Sequence, residues 1–186
     1  MEAQELTKEQ QFEVVESMIA TSRKRLRGVM GSNTILWGYM LLAVSLAVFV
    51  VTYCMHNAKG HFIWYAMVGV GIPLSILFNR RKVKKAVTHS RVDQIVTALW
   101  IWVSAAAALS ALHMRWAPLT VAMVLAVGFG ASGSILRLKE VSWIALPLAL
   151  LSMLYLYLPV EWVGLEFAVL GALPMIVLGH WLKRGL

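Results

Sequence analysis

Six apolar stretches constrain the fold of this chain more than any other feature of its sequence. A helix needs about 20 predominantly apolar residues to cross the hydrocarbon core of a bilayer. Of the 186 residues, 60% are hydrophobic, and the mean hydropathy of +0.72 exceeds that of a soluble domain with a polar surface. We therefore predict an all-α polytopic membrane protein with six transmembrane helices. The predicted spans cover residues 35–54, 62–78, 92–112, 116–136, 141–158 and 162–182.

The positions of the basic residues predict how these spans are oriented. Fifteen of the 17 Lys and Arg residues lie before the first span, after an even-numbered span or at the C-terminal end, and only Lys59 and Arg115 lie in the other loops. Short loops rich in Lys and Arg stay in the cytoplasm, so both termini are predicted to be cytoplasmic. Tryptophans near the opposite, outer ends fit an interfacial belt: Trp64, Trp116 and Trp162.

The net charge of +8 is explained by this topology and predicts no nucleic-acid partner. A nucleic-acid-binding surface would need its basic residues on one water-facing module, and the sequence contains none. A basic loop after the second span would instead face the anionic lipid heads of the inner leaflet. The predicted lipid contacts are Arg80, Arg81, Lys82, Lys84 and Lys85.

Residues 1–33 are polar and form a separate predicted unit before the transmembrane domain of residues 34–186. Residues 7–10 read Thr-Lys-Glu-Gln, a capping box that predicts the start of an amphipathic cytoplasmic helix. Its apolar seam has three alternative uses: the membrane surface, the cytoplasmic ends of the bundle, or a protein partner or second copy bound through residues 7–30. Gly28 and residues 31–33 predict a bend before the first span. The seam consists of Phe12, Val15, Ile19, Ser22, Leu26 and Val29.

The first 45 residues resemble the start of a group of small bacterial multi-span membrane proteins. The resemblance rests on ELTKEQQFEVVESMIATSRKRL followed by NTILWGYMLLAV: a Glu-rich amphipathic helix, a basic cluster and a Leu-Trp-Gly-aromatic first span. It implies a bacterial cytoplasmic (inner) membrane location and the same architecture. It implies no activity, because that group has none assigned.

The stretch GFGASG at residues 128–133 matches two catalytic or cofactor motifs as well as a packing motif. A dinucleotide-binding turn needs a preceding strand, which an apolar span cannot supply. The Gly-Ala-Ser-Gly, with Ser132 in the fourth span and His180 in the sixth, resembles a rhomboid protease, and a nearby His would activate the Ser. The second span lacks the His and Asn of rhomboid proteases, however, and Ser132 lies near the cytoplasmic end. We predict no catalytic residues and no cofactor.

Small residues on the fourth span favour a packing role for this stretch. Small residues four apart let helix backbones approach closely in lipid. We predict partner faces at Ser104, Ala105 and Ala108 in the third span, and at Gly164, Ala168 and Ala172 in the sixth. The predicted packing ridge is Ala122, Ala126, Gly130, Gly133 and Ser134.

Ionisable residues inside spans are the default candidates for function. Glu166 is the main one, either as a proton or cation site or as a carboxylate near the outer interface that is hydrated or bonded to Tyr155 or Tyr157. Prolines 73, 147 and 174 predict kinked helices, which occur at transporter sites and in ordinary bundles alike. For metal binding only scattered outer-side ligands are available, so no metal site is predicted; they are His56, His61, His113 and Glu161.

Two function classes follow from these features. The first is a non-enzymatic membrane protein whose N-terminal helix serves sensing, regulation or partner binding. The second is a small transporter or channel that uses Glu166.

Overall fold

The computed structural model describes residues 8–83, 91–111 and 117–184, and its regular structure there is entirely helical. Two wide π-helical turns, Val50–Cys54 and Phe167–Ala172, and two 3₁₀ turns, Ala58–Ile63 and Val160–Trp162, join or extend the helices. The α-helices are α1 Lys8–Phe49, α2 Trp64–Val83, α3 Arg91–Ala111, α4 Ala117–Leu136, α5 Lys139–Trp143, α6 Ala145–Leu154, α7 Val163–Glu166 and α8 Leu173–Arg184.

Among the residues that the structure describes, three helical segments are long and apolar enough to cross a membrane: Leu26–Cys54, Pro118–Leu136 and Val163–Arg184. Segments Trp64–Phe78 and Gln94–Ala107 are apolar but shorter. Side chains on the outside of the long segments are apolar as well, and Val127 and Val177 are each 67% exposed. The prediction of an all-helical fold is confirmed, and the three apolar segments fit a membrane protein, because large exposed apolar surfaces are unfavourable in water. Three of the six predicted spans reach spanning length.

The N-terminal helix and the first span form one continuous helix, α1, of 42 residues. At 1.5 Å per residue α1 is about 63 Å long, roughly twice the hydrocarbon thickness of a bilayer. The helix continues through residues 28–33, where we expected a bend. Gly31 has a packing role instead, since a Cβ atom built on it would lie 3.0 Å from the Gly179 carbonyl oxygen on α8.

Helices α1 and α8 pack side by side in opposite directions. Gly31 meets Gly179, Gly38 meets Ile176, and further along α1 Ser45 meets Gly164 at the start of α7. As the residue number rises on α1 it falls on the partner, which defines an antiparallel pair. The glycines permit this close approach because they carry no side chain at the contact.

The predicted fifth span, 141–158, is divided between two helices. A single turn residue with helical backbone angles, Ile144 (φ −68°, ψ −24°), separates α5 from α6, and α6 ends at Leu154 after 10 residues. Pro147 explains the interruption, because it has no N–H to donate to the Trp143 carbonyl and its ring crowds that turn. The turns that follow α6 end at Pro159.

Helix α4 ends in a Schellman motif that sends the chain into α5. Arg137 has a φ of 53°, and its N–H donates to the Ser134 carbonyl at 3.2 Å, while the Leu138 N–H donates to the Gly133 carbonyl at 2.8 Å. These two bonds satisfy carbonyls that a helix end leaves free. The short α5 can therefore fold back against the end of α4.

The packing order places the last helical segment at the centre of the described bundle. Helix α4 packs between α3 and α6, and the π turn Phe167–Ala172 contacts both α6 and α1. Helix α2 packs against α1 on another side. Residues at the start of the last segment are thus enclosed by neighbouring helices.

Candidate functional site

Glu166 is buried in the protein and has no hydrogen-bond partner. It is the last residue of α7 and is only 7% exposed. Neither carboxylate oxygen, Oε1 or Oε2, accepts or donates a hydrogen bond. Buried polar side chains almost always have partners, and an unpaired carboxylate in an apolar interior is strongly unfavourable. The site therefore needs a proton, a cation or a polar ligand to neutralise it.

Close packing against α1 holds Glu166 in this position. A Cβ atom built on Gly164 would lie 2.5 Å from the Ser45 carbonyl oxygen and 2.6 Å from the Phe49 amide nitrogen. Helix α7 therefore rests almost directly on the backbone of α1. Glu166, two residues further on, is fixed by this contact.

A π turn begins directly after Glu166 and changes the helix register. At the end of this turn the Leu173 N–H donates to the Ala168 carbonyl, five residues earlier. Pro174 follows, and its missing N–H leaves the Leu170 carbonyl without an ordinary helical donor. Single π turns inside α-helices are frequent at functional sites.

Two further buried polar groups without partners lie on elements next to Glu166. The Ser45 hydroxyl is fully buried on α1, on the residue whose carbonyl meets Gly164. The Trp64 indole Nε1 is also buried and unbonded, and its ring packs edge-on against Phe167 at 5.1 Å between centroids. Buried donors of this kind are usually satisfied by a bound water or a ligand.

Ser45 is one of three serines in the described helices whose buried hydroxyl has no hydrogen-bond partner; the others are Ser75 and Ser132. Thr52 donates to the Val48 carbonyl at 2.7 Å and Ser134 donates to the Gly130 carbonyl at 2.9 Å, each within its own helix. Such bonds satisfy a helical hydroxyl without any ligand. The Ser45 hydroxyl makes no bond of this kind.

A groove of about 300 Å³ opens beside Glu166. It lies where the turn after α6 meets the start of the last helical segment, and its surface is apolar: Glu166 borders the groove, but both of its carboxylate oxygens are buried away from the opening. Glu161, on the preceding 3₁₀ turn, is exposed to solvent. The wall residues are Leu154, Leu158, Trp162, Leu165, Glu166, Val169 and Leu170.

The tyrosine partners that we expected for Glu166 do not bond to it. Both of its oxygens are free of hydrogen bonds, and Tyr157 is 84% exposed. Because α6 ends at Leu154, residues 155–157 form turns rather than a helical face that presents a hydroxyl to α7. Of the two forms of the interfacial interpretation, the hydrogen bond to a tyrosine is therefore absent, and a hydrated carboxylate stays a prediction.

Ser132 and His180 do not form a catalytic pair. Ser132 is fully buried on α4 and its hydroxyl has no hydrogen-bond partner. His180 is exposed on α8, where its Nε2 lies 3.5 Å from the Tyr39 hydroxyl of α1. A serine nucleophile requires a hydrogen bond to its general base, and Ser132 has none.

The predicted ridge of α4 packs closely along most of its length. Ala122 and Ala126 are buried in the core, and a Cβ atom on Gly133 would strike the Ser142 hydroxyl of α5. Gly130 is less crowded, with the Ala145 side chain 3.6 Å away. Ser134 is exposed and lies outside the packed face.

The helices that pack against the small residues differ from those we expected. On α3 the exposed Ser104 and Ala105 are not the packed face, and Val103 contacts Gly128 of α4 instead. In the last segment Gly164 meets α1 rather than α4. Ala168 and Ala172 are buried, as a narrow packed face requires.

The structure describes only some of the residues that were considered for metal binding or lipid contact. His56 and Glu161 are exposed, His113 lies outside the described residues, and among those residues no three His, Cys, Asp or Glu side chains come together. Arg80, Arg81 and Lys82 form the C-terminal end of α2, while Lys84 and Lys85 lie outside the described residues. Of the N-terminal seam, Leu26 and Val29 are half-buried on α1.

Our interpretation of the sequence missed Ser45 and Trp64 as members of the site. Ser45 is a hydroxyl residue inside an apolar stretch, which is a usable signal. Trp64 was assigned only to the interfacial belt, because the sequence does not show which ring edge is buried.

Comparison of the chain with family models, curated proteins and solved structures finds no match.

Proposed function

We propose that this chain is a small membrane transporter or channel that binds a proton or a cation at Glu166. The observation that carries the proposal is the buried carboxylate whose two oxygens both lack a partner. It lies within the candidate membrane-spanning segment Val163–Arg184. Carboxylates inside membrane proteins mark ion paths and proton relays. The π turn and Pro174 after Glu166 add the interrupted helix that transporter sites use.

We also propose that the protein lies in a bacterial inner membrane, with six spans and both termini in the cytoplasm. Three long segments alone would make the first and last spans parallel, whereas α1 and α8 are antiparallel. An antiparallel first and last span requires an even number of crossings. Helices α2, α3 and the α5–α6 pair supply the additional crossings, and the excess of Lys and Arg in alternate loops supports the orientation.

The single cysteine of the chain provides a test of this topology. Cys54 is exposed at the end of the first candidate span, on the predicted outer side. A membrane-impermeant maleimide should label it in intact spheroplasts. A Cys54→Ser, Lys139→Cys protein, with its thiol at the start of α5, should be labelled only after the membrane is permeabilised. Labelling in the reverse pattern would mean that the orientation is inverted.

Infrared spectroscopy of the protein in lipid tests whether Glu166 takes up the proton or cation. The spectrum at acidic pH minus that at alkaline pH should contain the carbonyl stretch of a protonated carboxyl group. At alkaline pH, binding of an added cation should shift the corresponding carboxylate band. The other carboxyl groups of the chain also contribute to this band, so Glu166→Gln should remove one component of it, that of a carboxyl group shielded from water. Glu161→Gln, which changes an exposed carboxylate, should keep that component. Identical spectra for wild type and Glu166→Gln would refute the site.

A second candidate function is partner binding through the N-terminal part of α1. The first candidate span begins at Leu26, so residues 8–25 continue the same helix for about 27 Å beyond it. A rigid helix of this length can present the predicted seam to a protein partner or a second copy. Cross-linking in membranes with and without residues 1–25 would detect such a complex.

A further inference from the structure

We propose that the ion bound at Glu166 is a proton and that the site excludes metal cations. This inference rests on the proposed function and names which of its two ions the site takes. Both carboxylate oxygens of Glu166 are buried and unbonded, while the groove that the residue borders has an apolar surface. The acid group is therefore enclosed by the protein and is not presented to the groove.

The space around the carboxylate fits a proton and no larger ion. A proton forms an O–H bond with the carboxylate and needs no room of its own, whereas Ca²⁺ or Mg²⁺ lies about 2.0 to 2.6 Å from each oxygen ligand. No space of the size of a water molecule adjoins Oε1 or Oε2. A metal cation at that distance would therefore overlap protein atoms.

The surroundings of Glu166 also lack the ligands that a metal cation needs. Ca²⁺ takes about six to eight oxygen ligands, and K⁺ in channels exchanges its water for several carbonyl oxygens. Among the described residues no three His, Cys, Asp or Glu side chains come together, and Glu161 is exposed to solvent. Even with the Leu170 carbonyl, which Pro174 leaves without its helical donor, Glu166 would supply too few ligands.

No positive charge balances the ionised form of the carboxylate. The basic groups of α1 and α8 lie towards the other end of these helices: Arg27 stacks on the Trp181 ring, and Trp181 is about 22 Å along the last segment from Glu166. The titratable side chains of the nearer described elements leave both carboxylate oxygens unbonded. Because an unpaired charge in an apolar interior is strongly unfavourable, the neutral acid is the stable form in this enclosed state. The nearer titratable residues are Tyr53, Cys54, His56, Lys59, Tyr155, Tyr157 and Glu161.

Infrared titration of the protein in lipid with different salts tests this inference. The component of the carbonyl band that Glu166→Gln removes is followed against pH at increasing concentrations of NaCl, KCl or CaCl₂, with choline chloride keeping the ionic strength constant. We expect the same midpoint in every salt, because no cation competes with the proton. A monovalent cation that bound the same carboxylate would lower the midpoint by about one pH unit for each tenfold increase in its concentration. Glu161→Gln should titrate as wild type does.

Thermal melting in the same salts is a second measurement that does not depend on the infrared band. A cation that binds the folded protein at Glu166 would raise the melting temperature of wild type and not that of Glu166→Gln. Glutamine is neutral and has nearly the shape of the protonated acid, so this variant should fold as wild type does. We expect Na⁺, K⁺ and Ca²⁺ to change the two melting temperatures by the same amount relative to choline.

The outcomes separate this inference from the proposed function. A midpoint that falls as Na⁺, K⁺ or Ca²⁺ is added, or a melting temperature that the cation raises only in wild type, would overturn proton selectivity. The proposed function would then stand, with that cation as the ion bound at Glu166. A titration with no component that Glu166→Gln removes would overturn both.

Discussion

Replacement of Gly164 with alanine is expected to lower the free energy of unfolding by about 1 to 3 kcal/mol, the usual effect of overpacking a close contact. The added methyl group would meet the Ser45 carbonyl oxygen at 2.5 Å and the Phe49 amide nitrogen at 2.6 Å. Both atoms belong to the backbone of α1, so no side chain can rotate out of the way. The two helices must separate, and the melting temperature in detergent should fall.

Gly69→Ala is the matched control, because a Cβ atom at Gly69 in α2 has nothing within 4 Å. Alanine is a better helix former than glycine by roughly 0.5 to 1 kcal/mol, so this variant should melt at the same temperature as wild type or higher. An unchanged melting temperature for Gly164→Ala would mean that α1 and α7 are not in backbone contact, and Glu166 would lose the packing that fixes it.

Replacement of Glu166 with methionine is expected to raise the free energy of unfolding by about 1 to 3 kcal/mol, the range for relieving an unsatisfied buried polar group. Methionine has a similar length and an adaptable apolar side chain. The wall of the adjoining groove is otherwise apolar. Without a ligand, the buried carboxylate therefore lowers the free energy of unfolding, as residues retained for function often do.

The control for this prediction is Glu161→Met, at an exposed position five residues earlier, which should change the melting temperature little. Thermal melting in detergent measures both variants. Destabilisation by Glu166→Met would show that the carboxylate has a stabilising partner in the folded protein, and the argument from its unbonded oxygens would fail.

The helical membrane class could be predicted from the sequence because apolar length and composition decide it directly. The fourth span was expected at 116–136 and α4 is Ala117–Leu136. The last was expected at 162–182 and the segment is Val163–Arg184. In both cases a long apolar run has only one low-energy structure in lipid, an unbroken helical path.

The elements that could not be predicted depend on which helices meet. The spacing of small residues shows which face of a helix is narrow, but not which helix packs against that face. Gly164 was therefore expected to pack on the fourth span, although it packs on α1. Pro147 was expected to kink the fifth span, and α5 is separated from α6 at Ile144, three residues before this proline. The burial of Ser45 follows from the α1–α7 contact, and the Trp64 ring packs against Phe167; no local pattern encodes either contact.

Glu166 itself could be singled out because a carboxylate inside an apolar run is conspicuous in any membrane segment. Its lack of hydrogen-bond partners in the protein could not be predicted, because the sequence does not show that residues 155–157 leave the helix. The structure ends α6 at Leu154. The unbonded carboxylate is therefore a property of the fold, and it carries the functional proposal.

Ion flux through the purified protein in liposomes tests the central claim most directly. Liposomes loaded with a pH-sensitive dye, or with a cation-sensitive one, receive an imposed gradient, and its decay is followed for wild type, Glu166→Gln and Glu161→Gln. We expect wild type and Glu161→Gln to dissipate the gradient, and Glu166→Gln to leave it as stable as in empty liposomes. Equal decay with wild type and Glu166→Gln, or no decay with wild type for either ion, would contradict the account.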